Sequence, residues 1–215
     1  MRKFFSVSLL LAFIFLISGC AQGYYAINPT KITYSASNNL EDISLNYRYD
    51  ILNEKRNYKL ARKEKTQNMK LVAVKITNNT DRIINIGDNA AFYTGNTMIY
   101  PMDAMSIKNN LKQSVPSYLF YLLLTPITFS FNGSYPMPIG LVLGPLITGS
   151  NMLCAGSANI NLYMDLAQYN ILNRDIQVGE TVFGLVGFKN LDYAPLTIKL
   201  TNVQLKKDET AKKEF

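Results

Sequence analysis

With 215 residues, 48% of them hydrophobic, the chain is long enough to bury a real core in one domain, with room for an insertion. The formal net charge is +7 and there is no histidine, which excludes Ser–His and Cys–His nucleophile pairs, His-based zinc sites and imidazole proton shuttles. Carboxylates and lysines remain available for acid–base work.

The chain opens MRKFFSVSLLLAFIFLISGC. Arg2 and Lys3 form a positive start, and residues 4–17 are an apolar run that includes two serines, Ser6 and Ser8. Fourteen residues fall short of the roughly 20 that a spanning helix needs, but suit the apolar region of a signal peptide. Ile17-Ser18-Gly19-Cys20 follows directly and resembles the lipobox of bacterial lipoproteins, an aliphatic residue and two small ones before an obligatory Cys. The resemblance implies that 1–19 is a signal peptide with an N-terminal helix, cleaved between Gly19 and Cys20. It also implies diacylglycerol on the Cys20 sulfur and acylation of the new amino terminus. Two or three chains anchor stably, at about 0.8 kcal/mol per buried CH2, where one holds only marginally. The lipoprotein resemblance implies the cell envelope. No Asp resembling an inner-membrane retention signal follows Cys20, nor an acidic cluster resembling a surface-export signal, so the location it implies is the outer membrane facing the periplasm. Loss of Arg2 and Lys3 lowers the net charge from +7 to +5. With Cys20 committed to lipid, Cys154 has no intramolecular partner. Its surroundings, NMLCAGSAN, predict a buried, inert thiol.

Residues 20–30 read as an anchor linker. Strands are predicted over 31–37 and 42–49, the second alternating Ile43, Leu45, Tyr47 and Tyr49 with polar neighbours. Residues 55–65 (KRNYKLARKEK) are a basic run with a single acid, Glu64, read as a solvated loop or as a short helix near anionic head groups. Residues 71–77 place Val72, Val74 and Ile76 on one strand face, before a turn at 78–81. A short strand at 83–86, a turn at 87–89, and strands over 176–180, 181–188 and 195–200 follow, with a further short strand at 203–205. Residues 206–215 form a charged tail. The phrases VAVKITNNTDRIINI, VGETVFGLVGFKN and PLTIKL resemble the immunoglobulin-like sandwiches of uncharacterised bacterial envelope lipoproteins. The expected fold is mainly β: an immunoglobulin-like β-sandwich over 31–205, interrupted at 113–157 by an apolar, helical hairpin insert.

That insert is the main anomaly. Residues 113–164 contain no Asp, Glu, Lys or Arg. Two apolar arms, 115–131 and 136–156, flank Asn132-Gly133-Ser134-Tyr135, a turn signal. Tyr118, Leu119, Phe120, Leu122, Leu123, Leu124, Ile139, Leu141, Val142 and Leu143 are the candidate membrane or partner contacts. Gly140 and Gly144, at GxxxG spacing, are the candidate helix-packing positions. Three readings stay open: a hairpin dipping into or spanning the membrane beside the lipid anchor, an apolar surface for self-association or for docking a membrane protein, and a segment packed into the sandwich core. Five prolines interrupt any long helix.

The chain has no phosphate-binding loop, dinucleotide fingerprint, hydrolase elbow or calcium loop. No cofactor, metal or nucleic acid is expected. The basic charge of an exported protein suits anionic lipid or polysaccharide instead. The predicted role is non-catalytic, a structural or accessory envelope protein, with membrane lipid as partner through acylated Cys20. The alternative is a periplasmic or surface module that binds a glycan, a peptide or a partner membrane protein.

Overall fold

Residues 69–78 send successive side chains into two different cores, and the whole architecture follows from that. In this computed structural model, which describes residues 19–39, 42–130 and 135–201, they form β3 (Met69–Asn78). Val72, Val74 and Ile76 enter one core, while Met69, Leu71 and Ala73 enter the other. Most of the signal segment, Glu41, the joint residues 132–134 and the charged tail lie outside the described residues, as does the short strand expected at 203–205.

β3 pairs with β2 (Ile43–Arg48) on one side and β9 (Thr181–Lys189) on the other, all antiparallel. β1 (Ala36–Asn39) and β7 (Pro101–Met102) complete a five-stranded sheet of order β1-β2-β3-β9-β7. A three-stranded sheet built from β5 (Ala90–Thr94), β6 (Thr97–Ile99) and β10 (Leu196–Leu200) covers its first face, with Phe92 and Ile198 meeting Val72, Val186 and Phe188. Phe92 and Phe188 cross edge to face, their ring centroids 5.1 Å apart. A two-stranded ribbon, β4 (Ile84–Asn85) with β8 (Asp175–Ile176), closes one end.

Helices cover the other face. α1 (Ile51–Glu54), α2 (Tyr58–Thr66) and α4 (Ala104–Leu111) lie there with the C-terminal half of the 29-residue α5 (Gly140–Gln168). Leu52, Leu60, Ile107, Leu162 and Leu166 pack on Leu71 and Leu185. The approach is close. A Cβ at Gly187 would sit 2.6 Å from Ile107 Cγ1, so α4 rests where β9 has no side chain.

The described chain is therefore mixed α/β rather than mainly β, with ten strands in antiparallel sheets and five helices, the fifth being the single turn α3 (Ile86–Asn89). The basic run is the first source of the difference. Leu60, Ala61 and Glu64 lie on one face of α2 and are buried, leaving most of its Lys and Arg side chains outside. The turn expected at 87–89 belongs to α3, which Asn85 caps through Gly87 N–H at 3.0 Å. The strand expected from 31 begins only at Ala36, because Asn28 caps a 3-10 turn over Pro29–Lys31. The first arm of the insert is a 3-10 helix, Pro116–Leu124, and the second continues past 157 as α5.

Candidate functional site

Cys20 is exposed, yet the chain that follows it is held closely. Ala21 N–H donates to Asn151 Oδ1 on α5. Gln22 and Gln113 exchange two hydrogen bonds, Gln22 N–H to Gln113 Oε1 at 3.1 Å and Gln113 Nε2 to Gln22 O at 2.6 Å. Asn159 holds Gln113 in turn, accepting its N–H at 2.7 Å and donating to its carbonyl at 2.9 Å. Asn57 pairs with the backbone of Tyr25 in the same two-bond fashion, at 2.9 and 2.8 Å. Asp165, the first charge after the uncharged stretch, accepts from Ile27 N–H at 2.8 Å and from the Tyr24 hydroxyl at 2.7 Å. Burial first, and Asp165 beside it, push the Tyr24 hydroxyl pKa well up, so it remains a donor. Residues 21–27 thus lie against α5, α2 and the start of the insert, and they fix Cys20 in space.

Around Cys20 the insert begins. Lys59, on α2, donates from Nζ to Gly19 O at 3.1 Å and to Tyr118 Oη at 3.4 Å. Its ammonium lies 5.7 Å from the Tyr118 ring centroid. Partial burial pushes the Lys59 pKa down. The Tyr121 ring stacks on Tyr118 with centroids 6.4 Å apart, and its hydroxyl reaches 2.6 Å from where a Gly19 Cβ would stand. Gly19, Ser117, Tyr118, Phe120, Tyr121 and Leu124 line a groove of about 340 Å³.

The two arms of the insert pack on each other. A Cβ at Gly140 would lie 2.1 Å from Leu124 O, and one at Gly144 would lie 3.1 Å from Thr125 Oγ1. Both glycines are the contact points of α5 with the first arm. Phe129 and Met137 exchange backbone hydrogen bonds of 2.9 and 2.8 Å, which close the hairpin near its tip.

The N-terminal half of α5 is inside out. Its buried stripe is Gly140, Gly144, Thr148, Asn151 and Ala155, whereas Leu141, Val142, Leu143, Leu146 and Leu153 face outward. Thr148 and Asn151 return their side-chain donors to the Gly144 and Ile147 carbonyls, at 2.8 Å in each case. Small residues within and large apolar residues without is the pattern of a helix whose surroundings are as apolar as its interior. α5 is long and apolar enough to cross a membrane by length and composition.

Among the other predicted contacts, Leu119, Phe120, Leu122 and Leu123 are exposed, Leu123 to 76%; Leu124 and Ile139 are half-buried, and Tyr118 is buried. None of the described residues between 113 and 157 belongs to either apolar core, so the packed-core reading of the insert does not hold. Cys154 is half-exposed rather than buried.

Sequence reasoning missed a second, polar feature. A cavity of about 350 Å³ includes Asp50, Asn53, Glu64, Lys70 and Tyr193 in its lining. Tyr193 donates to Asp50 Oδ1 at 2.6 Å, and Lys70 Nζ donates to the Tyr193 hydroxyl at 2.9 Å. Glu64 is 2% exposed and accepts Leu71 N–H at 2.6 Å; burial pushes its pKa up to about 6. Its isolation in a basic run was the available signal. Among the described residues no group of three His, Cys, Asp or Glu is placed to hold a metal.

Comparison of the chain with protein-family models, with curated proteins and with solved structures returned no match.

Proposed function

We propose that this is a lipid-anchored envelope protein with a non-catalytic structural or accessory role, seated on the membrane by two adjacent devices, the acylated Cys20 and the apolar hairpin. In this reading the two sheets form an immunoglobulin-like sandwich that stands in the periplasm at the outer membrane. The observation that carries the proposal is the inverted first half of α5 beside Cys20. A hairpin that buries Gly, Thr and Asn and exposes Leu and Val matches an apolar surrounding, and the clamped segment 21–27 keeps the anchor at its base. Lys59 at the same spot adds a cation where anionic head groups would lie.

The test separates the two devices. Cys20→Ala behind a signal peptide that still exports is compared with the same protein lacking 113–157. Membrane retention of the first and release of the second supports a hairpin that seats in lipid. A soluble, monomeric Cys20→Ala protein would overturn it. A soluble oligomer would instead favour self-association through the hairpin.

A further inference from the structure

The carbonyl that Lys59 holds is the acyl group on the Cys20 nitrogen. In the unprocessed chain that group is Gly19, whose carbonyl accepts from Lys59 Nζ at 3.1 Å and whose own atoms line the groove formed by Ser117, Tyr118, Phe120, Tyr121 and Leu124. Any acyl group that later replaces Gly19 on that nitrogen keeps the same amide geometry. Its carbonyl oxygen falls to Lys59, and its first carbons start in the groove where Gly19 Cα lies. We propose that this groove is a seat for the amide-linked fatty acyl chain of Cys20, with Lys59 as the donor that recognises the amide carbonyl.

The proposal rests on the lipoprotein reading above. Two covalent steps, both performed by other proteins, create the ligand. Water cleaves the Gly19–Cys20 bond, Gly19 leaving as a carboxylate and Cys20 keeping an amine. That amine then attacks the ester carbonyl of a phospholipid acyl chain. The C–N bond forms, the ester C–O bond breaks, and the lysophospholipid alcohol departs with the proton.

The site discriminates between the two products. A free Cys20 amino terminus is cationic near neutral pH and would face the Lys59 ammonium, with the stacked Tyr118 and Tyr121 on the other side. The amide is neutral and offers Lys59 an acceptor. The groove is suited to a methylene chain, because Phe120 and Leu124 supply apolar walls and Tyr118 and Tyr121 contribute ring faces. Only the start of the chain fits, so its remainder continues along the exposed face of the hairpin.

The experiment uses the full-length protein matured in cells fed a fatty acid with a diazirine close to its carboxyl end. After photolysis, alkali removes ester-linked chains and leaves the amide-linked one. The expected result is an alkali-stable cross-link from the Cys20 peptide to residues 116–124, falling about tenfold in Lys59→Met, as loss of a charge-assisted hydrogen bond predicts. Alkali-stable label on Cys20 with no cross-link to 116–124 overturns the seat while leaving lipidation intact. A Cys20 peptide without lipid by mass spectrometry overturns both readings. The wild-type map stands alone if Lys59→Met fails to fold.

Discussion

Asn151 Oδ1 accepts the backbone N–H of Ala21 across 130 residues of sequence, and this bond joins the residue after Cys20 to the middle of the apolar helix. The segment expected to be a plain tether is instead held by side-chain amides from α2, α5 and the start of the insert. If Cys20 carries the proposed lipid anchor, these bonds limit rotation of the sheets about it.

Gln113→Ala removes both partners of the Gln22 backbone. Deuterium exchange at the Gln22 amide is expected to accelerate by one to two orders of magnitude, matching about 1–3 kcal/mol for an orphaned buried bond. Exchange in β3 and β9 remains slow, since neither strand is hydrogen-bonded to Gln22 or Gln113.

Glycines within α5 have opposite predicted signs. Gly140→Ala drives a methyl into the Leu124 carbonyl and is expected to cost about 1–3 kcal/mol in urea unfolding. Gly149→Ala meets nothing within 4 Å and is expected to stabilise the same helix by about 0.5–1 kcal/mol.

Serine at Leu123, Leu141 and Leu146 tests the outward face. Each lies in the insert and is more than half exposed, so single substitutions should leave unfolding free energy within about 0.5 kcal/mol of wild type. In a Cys20→Ala background, sedimentation with anionic vesicles should weaken by about tenfold or more for each Leu that seats in lipid. Unchanged sedimentation would sink the membrane role of the hairpin.

Glu64 gives a pH signature. Its folded pKa is raised from 4.5 to about 6, so the native state holds the proton more tightly than the unfolded chain. The stabilisation is therefore fully present below pH 4.5 and is lost as pH rises through 6, a fall on the order of 2 kcal/mol. Glu64→Gln keeps an acceptor for Leu71 N–H and should flatten this slope in thermal melts across that window. A wild-type curve that rises over the same window would contradict the assignment.

Much of the fold is legible in the chain itself. Alternation in residues 43–48 and 71–77 reveals β2 and the inner face of β3, because a strand with one buried face must repeat every two residues. The absence of charge over 113–164 marks the insert off from the charged chain on either side of it. The bounds of the insert were less legible, because an apolar helix that runs from an exposed half into a covered half carries no sequence mark at the crossing.

The tertiary structure alone decided the direction in which that insert faces. A segment apolar on every side has no amphipathic stripe to read. The GxxxG spacing marked Gly140 and Gly144 as packing positions, but that Thr148 and Asn151 share their buried stripe is visible only in the fold. Likewise, Glu64 resembled a solvated member of a basic run until α2 turned it beneath Leu71. Sequence by itself determined the charges, the periodicities and the Cys20 motif, which are local properties. That Cys20, Lys59, Tyr118 and Asn151 share one place follows from side-chain amide pairs between segments far apart in the chain. Such pairs depend on three-dimensional closure, and no local pattern encodes them.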